Sequence, residues 1–442
     1  MLNQCNNIQY MDLNKINRII QDGLLFEWGL VIIAFCLPLY PKLLNFSIAS
    51  VTLFWLFKKN LIVRINTAAK NKLFLIPILF YLLHILSFIL SENKIYAWKD
   101  LQTKLSIVIF PLLFFGSGGF SFIKPKWIEK SFLLGIMVSV LLCVYYALLH
   151  SFNNPYTGGD FNISIWADML DRDWWWLIIS GNSYFNYSLF SHFLHPSYYA
   201  LYLTFGASLI IYRDRINGYS IPNKIIRNIL VLILFIVVFL LQSRAGLIGI
   251  LVFAVWSLFI GSRRTKMTVL YTFLVLLVSI FVLLTGRFVR VTENLSNSKY
   301  HNLIKSEIRL SIWSDALHLI KEKPIFGYGI GDAKTQLVKS YKNEKLIEAV
   351  EKEFNAHNEY LEVILQFGLV GLSVLLAMFI LPLLKMDIQK PLFIIFVALV
   401  TIHFVFESML ERIAGVSFVM YFWSYLNTLK LRYDTIFSTA DR

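Results

Sequence analysis

Apolar runs of about membrane-crossing length recur along the whole chain, separated by short polar stretches. A spanning helix needs about 20 mostly apolar residues, with latitude for tilt. About twelve segments qualify: near 24–41, 43–57, 73–91, 105–121, 131–150, 196–212, 227–241, 245–261, 267–285, 360–383, 391–407 and 414–429. In a bilayer every backbone polar group must be satisfied internally, so these runs predict helices and an all-α integral membrane fold. One long loop, 286–359, separates the ninth and tenth spans. Within it Ile308, Ile312, Leu319 and Ile320 recur at helical spacing, and Pro324 with Gly327, Gly329 and Gly331 ends that helix. A second, polar helix is expected over 332–352. The organisation is therefore 1–285, with nine spans; 286–359, a helical loop; and 360–442, with three spans and a tail.

Charge supplies the orientation. Cytoplasmic connections carry an excess of Lys and Arg. With an inner N-terminus, the inner connections hold Lys58, Lys59, Arg64, Lys70 and Lys72; Lys124, Lys126 and Lys130; Arg213, Arg215, Lys224 and Arg227; Arg263, Arg264 and Lys266; and Lys385 and Lys390. The tail adds Lys430 and Arg432. The short outer connections hold only Lys42, Lys94, Lys99, Lys104, Arg172, Arg244 and Arg412. Both termini are thus expected in the cytoplasm, with the long loop outside. A second outer segment, 151–195, carries Asp160, Asp168, Asp171 and Asp173 before Trp174-Trp175-Trp176, and reads as interfacial.

Composition agrees with this picture. The 442 residues are 57% hydrophobic and 15% charged, against about a quarter charged in soluble domains. The net charge of +14 sits in the connections that set orientation, so no nucleic-acid partner is expected. Cys5, Cys36 and Cys143 have no metal-like spacing. The first apolar run follows Lys15 and Arg18 without a cleavage signature, and is expected to remain a span.

Unusual polar residues gather on the outer side. Arg244, in Gln242-Ser243-Arg244-Ala245-Gly246, is pinched between two apolar runs, where an arginine costs at least about 2.5–3.5 kcal/mol to bury in a bilayer. Its small neighbours would let an anion approach. Lys104 and His195 each open a span on that side, and Arg309 lies on the loop helix. Glu407 and Arg412 bracket the last outer turn and are expected either to pair with each other or to serve a site. His357, in His357-Asn358-Glu359-Tyr360-Leu361, stands where the loop re-enters the membrane, and an imidazole suits proton transfer near neutral pH. Gly327-x-Gly329-x-Gly331 follows no strand and reads as a turn. Permanent cations and one base at lipid depth point to chemistry on a lipid-linked phosphate. No Asp-x-Asp or His-rich metal motif lies outside, so neither metal nor cofactor is expected.

These motifs resemble the O-antigen ligase and O-antigen polymerase superfamily. They are His195-Pro196-Ser197-Tyr198, the Arg244 motif, Arg309-x-x-x-Trp313 running into Pro324-Ile325-Phe326-Gly327-Tyr328-Gly329, and Ala356-His357-Asn358-Glu359-Tyr360-Leu361 followed by Gly368-Leu369-Val370-Gly371. The resemblance covers about 195–372 and implies a GT-C-like, metal-independent glycosyltransferase of the bacterial inner membrane. Such enzymes move a glycan from undecaprenyl pyrophosphate to lipid A–core, or to another lipid-linked repeat unit, on the periplasmic face. Carried over, Arg244 would hold the donor pyrophosphate and Arg309 would add a second phosphate contact. His357 would act as general base, with Asn358 and Tyr360 supporting it. Lys104, His195, Glu407 and Arg412 are further substrate-binding candidates. Protein O-glycosylation and transport of lipid-linked sugars are the other readings. A transporter should place its ionisable residues near the membrane midplane; here they concentrate at one face, although His84 and His403 fall within or near spans.

Overall fold

The computed structural model describes residues 23–117, 123–153, 184–185, 187–215, 224–259, 301–384 and 390–440. The expected span at 267–285, most of the 151–195 segment with its tryptophan run, and the start of the loop lie outside these residues. In chain order the helices are α1 (Leu24–Cys36), α2 (Pro41–Phe57), α3 (Leu61–Ala69), α4 (Lys72–Leu90), α5 (Lys94–Thr103), α6 (Ser106–Phe115), α7 (Lys126–Asn153) and α8 (Tyr187–Phe190). They continue with α9 (Pro196–Arg215), α10 (Lys224–Leu240), α11 (Arg244–Phe259), α12 (His301–Glu322), α13 (Ala333–Asn343), α14 (Ile347–Glu351), α15 (Glu359–Leu383), α16 (Lys390–Phe406) and α17 (Ile413–Ala440). No strand occurs among the described residues.

Among the described residues, three helices are long and apolar enough to cross a bilayer unaided: Lys72–Leu90, Lys126–His150 and Glu359–Leu383. A fourth crossing arises if α2 and α3 act as one broken span, bent by 110°. The segments 24–36, 225–240, 244–259 and 391–406 are apolar but shorter. The chain is a multi-pass helical membrane protein, and these helices establish fewer independent crossings than the about twelve that apolar runs predict. Two differences have local causes. The connection expected at 58–72 contains α3, because Arg64 folds back and donates to the carbonyls of Trp55, Lys58 and Lys59 while stacking on the Trp55 ring at 4.3 Å. It thereby satisfies carbonyls that the end of α2 leaves open. The polar helix expected over 332–352 is two, since Lys345 at φ 57° interrupts it between α13 and α14.

Helices α9 and α17 form the centre. Tyr202 stacks on Phe418 at 4.3 Å, and Phe422 meets the edges of Phe132 and Phe205, each at 4.7 Å. At one end of this core, Arg213 Nε donates to Glu129 Oε2 at 2.7 Å and the Tyr425 hydroxyl donates to Glu129 Oε1 at 2.7 Å. That clamp joins α7, α9 and α17.

The loop has a core of its own. Ile312, Ala316 and Leu319 of α12 pack with Ala333, Leu337 and Tyr341 of α13 and with Ala349, Ala356 and Leu365. Its Pro324–Gly331 turn is set into α15. Gly368, at φ 63° and ψ −158°, breaks α15, and the turn takes up the groups this break frees. Tyr328 and Gly329 donate to the carbonyls of Leu365 and Gln366 at 2.7 and 2.9 Å. Leu369 and Val370 donate to the carbonyls of Pro324 and Ile325 at 2.9 and 3.3 Å. Unpaired backbone groups in an apolar setting are costly, so break and turn require each other.

Candidate functional site

The site is assembled where α12, α15, α16, α17 and the starts of α9 and α11 meet. His357 immediately precedes the cap of α15, at φ 46°, a left-handed conformation uncommon outside glycine. Local bonds hold it there. The backbone N–H of His357 donates to Asn355 Oδ1 at 3.1 Å. Asn358 is the N-cap, accepting from Tyr360 and Leu361 at 3.0 and 3.1 Å. Trp313 Nε1 donates to the Ala356 carbonyl at 3.0 Å, so α12 grips the turn. Arg309 and Trp313, four apart, share one face of α12. The Phe354 ring meets the imidazole edge-on at 5.1 Å.

His357 Nδ1 lies 3.2 Å from Glu407 Oε1, and His195 Nδ1 lies 4.0 Å from Glu407 Oε2. One carboxylate thus faces two imidazoles. Burial alone would raise the Glu407 carboxyl, but the His357 hydrogen bond and the nearby His357, His195 and Arg309 hold it below its ordinary value of 4.5. His195 is shifted down from 6.5 by burial, against the opposing pull of Glu407; His357, Arg412 and Arg309 add to the lowering. The His195 side chain is still 41% exposed, which moderates that shift. Nδ1 of His357 is thus the ring nitrogen directed at Glu407.

Arg309 and Arg412 act on this group through space, and among the described residues neither has an ion-pair partner within 4.0 Å. Arg412 therefore does not pair with Glu407, which is occupied by the histidines instead. Arg244 is the first residue of α11 and is exposed. Ser243, just before it, caps α11 by accepting from Gly246 N at 3.2 Å, and its hydroxyl lies 3.5 Å from that of Ser197. This contact sets the start of α11, and with it Arg244, beside the start of α9 two residues past His195. A Cβ on Gly246 would sit 2.6 Å from Ala200 Cβ, so the close approach needs glycine. Gln242, next to this corner, is also left-handed at φ 46°.

The structure brings together His357, Glu407, His195, Arg309 and Arg412, sets Arg244 close by, and places Lys104 apart. Lys104 is 1% exposed, with Nζ 2.7 Å from both Asp100 Oδ1 and Glu411 Oε1 and 3.1 Å from Gln366 Oε1. It is the centre of an internal ion cluster. Tyr360 donates its hydroxyl to the Thr401 carbonyl at 3.1 Å and so ties α15 to α16. His84 and His403 are buried and bond the carbonyls of Phe80 and Leu399 one turn back. No group of acidic, His or Cys side chains able to hold a metal occurs among the described residues.

A bundle of apolar helices carrying a histidine–carboxylate pair with arginines around it defines a helical membrane protein with a polar site. Residues 229–376 match the model of a family described as O-antigen ligase. This segment contains Arg244, Arg309, His357, Asn358 and Tyr360. Lys104, His195, Glu407 and Arg412 lie outside it. No curated relative matches the chain at a significant level.

Proposed function

We propose that the chain is an O-antigen ligase-like glycosyltransferase of the bacterial inner membrane. It moves a glycan from undecaprenyl pyrophosphate to a sugar hydroxyl of lipid A–core on the periplasmic face, with both termini in the cytoplasm. The observation that carries this reading is the His357–Glu407 pair with Arg309 and Arg412 acting on it, His357 and Arg309 lying in the segment that matches the O-antigen ligase model.

His357 Nε2 takes the proton of the acceptor hydroxyl as its oxygen attacks the anomeric carbon. The carbon–oxygen bond to the pyrophosphate breaks, and the bond pair leaves on undecaprenyl pyrophosphate with inversion at that carbon. Glu407 accepts from Nδ1–H, orients the ring and stabilises the imidazolium, the part a carboxylate plays in hydrolase triads. General base catalysis of this kind contributes about 10²–10⁴ in rate. The arginines supply fixed positive charge to the leaving pyrophosphate, where guanidinium forks suit phosphate oxygens. Asn358 and Tyr360 hold the helix start that presents His357, and His195 assists from the second carboxylate oxygen. Cations of this kind allow transfer without a divalent metal, so chelation by EDTA should leave the rate unchanged.

The test is deletion of the gene followed by complementation with wild type or His357→Ala, reading lipopolysaccharide on a gel. Loss of all O-chains with accumulation of lipid-linked polymer, restored by wild type alone, is the expected result. A core bearing a single repeat unit would instead identify a repeat-unit polymerase. Restoration by His357→Ala would overturn the base.

A further inference from the structure

Glu359 and Glu362 open α15 three residues apart, and so share a helix face. Acidic residues in a first turn ordinarily face solvent and complement the helix dipole. These two are buried, at 0% and 2% exposure, and each reaches back to a different turn of the candidate site. Glu362 Oε2 accepts the backbone N–H of Ala356 at 2.9 Å, the residue before His357. Glu359 Oε2 accepts the backbone N–H of Leu410 at 2.7 Å, in the short Met409–Glu411 turn between Glu407 and Arg412.

Burying a carboxylate is costly unless its charge is compensated and its oxygens are bonded. For Glu362 the compensation is a continuous network. The Gln366 amide donates to Glu362 Oε1 at 3.2 Å and to Glu411 Oε1 at 3.1 Å, and its carbonyl oxygen accepts from Lys104. Lys104 in turn bridges Asp100 and Glu411. The network therefore joins the His357 turn, the Glu407–Arg412 turn and α5 through one helix turn of α15. Glu359 Oε1 is buried without a hydrogen-bond partner. Only one of its oxygens is used, and that one holds the turn.

We propose that Glu359 and Glu362 are positioning residues that fix His357 and Glu407 relative to each other. The proposal rests on the reading of His357 as the base. Proton abstraction demands placement within about 0.5 Å, and the two partners come from segments 50 residues apart. Glu362 secures one side of the pair and Glu359 the other, both from a single rigid element.

The test uses the full chain in lipid nanodiscs, with an undecaprenyl-pyrophosphate-linked glycan as donor and a lipid A–core acceptor. Glu359→Leu and Glu362→Leu should each lose about tenfold or more in kcat with donor KM within about twofold, as expected when only the reacting geometry is disturbed. Glu359→Gln keeps an acceptor for Leu410 N–H, and its kcat should stay within about threefold of wild type. Hydrogen–deuterium exchange gives a readout independent of turnover: Glu362→Leu should speed exchange in 354–358 and Glu359→Leu in 408–412, each sparing the other segment. A loss confined to KM, a tenfold kcat loss in Glu359→Gln, or unchanged exchange in both segments would each overturn the proposal. The glutamine variant keeps the test decisive even where the leucine variants fail to fold. An inactive His357→Ala beside fully active leucine variants would defeat this proposal alone. Wild-type turnover by His357→Ala would defeat the base assignment on which it rests.

Discussion

Replacing Gly368 by alanine strikes the junction between loop and membrane helix. Its backbone, at φ 63° and ψ −158°, lies in a region essentially reserved for glycine, where other residues pay about 1–3 kcal/mol. A Cβ would also stand 2.1 Å from the Ile325 carbonyl oxygen and 2.5 Å from Phe326 N. Both obstacles are backbone, so neither can swing away, and the Pro324–Gly331 turn must withdraw. Withdrawal forfeits the bonds from Tyr328, Gly329, Leu369 and Val370, each worth about 0.5–1.5 kcal/mol net. With the bonds at the lower end of their range and the strain at the middle of its own, about 4 kcal/mol of local stability is lost. At 1.4 kcal/mol per decade this is roughly a thousandfold faster exchange of those amides. Hydrogen–deuterium exchange on the 324–331 and 365–370 segments measures it directly. Protection within tenfold of wild type would refute the mutual dependence of break and turn. Gly327→Ala attacks the same junction from the loop side, with a Cβ 2.6 Å from the Leu365 oxygen, and should behave alike.

Lys104→Met should destabilise the protein by about 3–5 kcal/mol, because it leaves buried carboxylates without their counter-charge; an unaltered melting curve in detergent would contradict the internal role of Lys104. Trp313→Phe removes the bond to the Ala356 carbonyl and should cost about 1 kcal/mol or somewhat more while lowering transfer. Wild-type turnover in that variant would show that α12 does not steady the His357 turn. The Glu407 carboxyl is held below 4.5 when folded. A depressed folded value stabilises the protein above the unfolded pKa, and that contribution disappears as pH falls through the folded value. Wild type should therefore lose stability below about pH 4.5 more steeply than Glu407→Gln, and parallel curves from pH 5 to pH 3 would be the contrary result. Arg244→Lys should lose most activity, since a point charge does not reproduce the guanidinium fork; near-wild-type turnover would remove Arg244 from phosphate binding.

Much of this architecture is legible in the chain because its signals are local. The loop helix reads from Ile308, Ile312, Leu319 and Ile320, and Pro324 with its glycines closes it where the structure does. His357 stands out for its place at a re-entry point. What escapes is pairing across sequence. Arg412 is the nearest cation to Glu407 along the chain, yet the carboxylate is taken by His357 and His195, which arrive from other helices. Lys104 resembles an unpaired ligand-binding cation at the mouth of a span. The warning was Asp100 one turn earlier, at the i, i+4 spacing that joins the two side chains in the structure. Glu359 and Glu362 look like ordinary first-turn acids, because burial is not written in their spacing. The Gly368 break is hidden for another reason: its neighbours are as apolar as any span, and only the docked turn makes the interruption tolerable.

Helix α9 poses a question of biogenesis. Pro196–Arg215 carries Tyr198, Tyr199, Tyr202, Thr204 and Ser208, all buried, and it is not among the helices apolar enough to cross alone. Among the described residues, the Tyr198 and Tyr202 hydroxyls donate to the carbonyls of Ser408 and Ala414, more than 200 residues later. Delivered to lipid by itself as the ribosome proceeds, this helix would present those hydroxyls to hydrocarbon. Its neighbours α7, α10, α11, α16 and α17 do not all precede it. Helix α9 must then wait beside the insertion machinery, or shelter against α7, until α16 and α17 close around it. Truncations ending before α16 should consequently leave this segment poorly inserted and open to proteolysis, whereas chains extended through α17 should retain it.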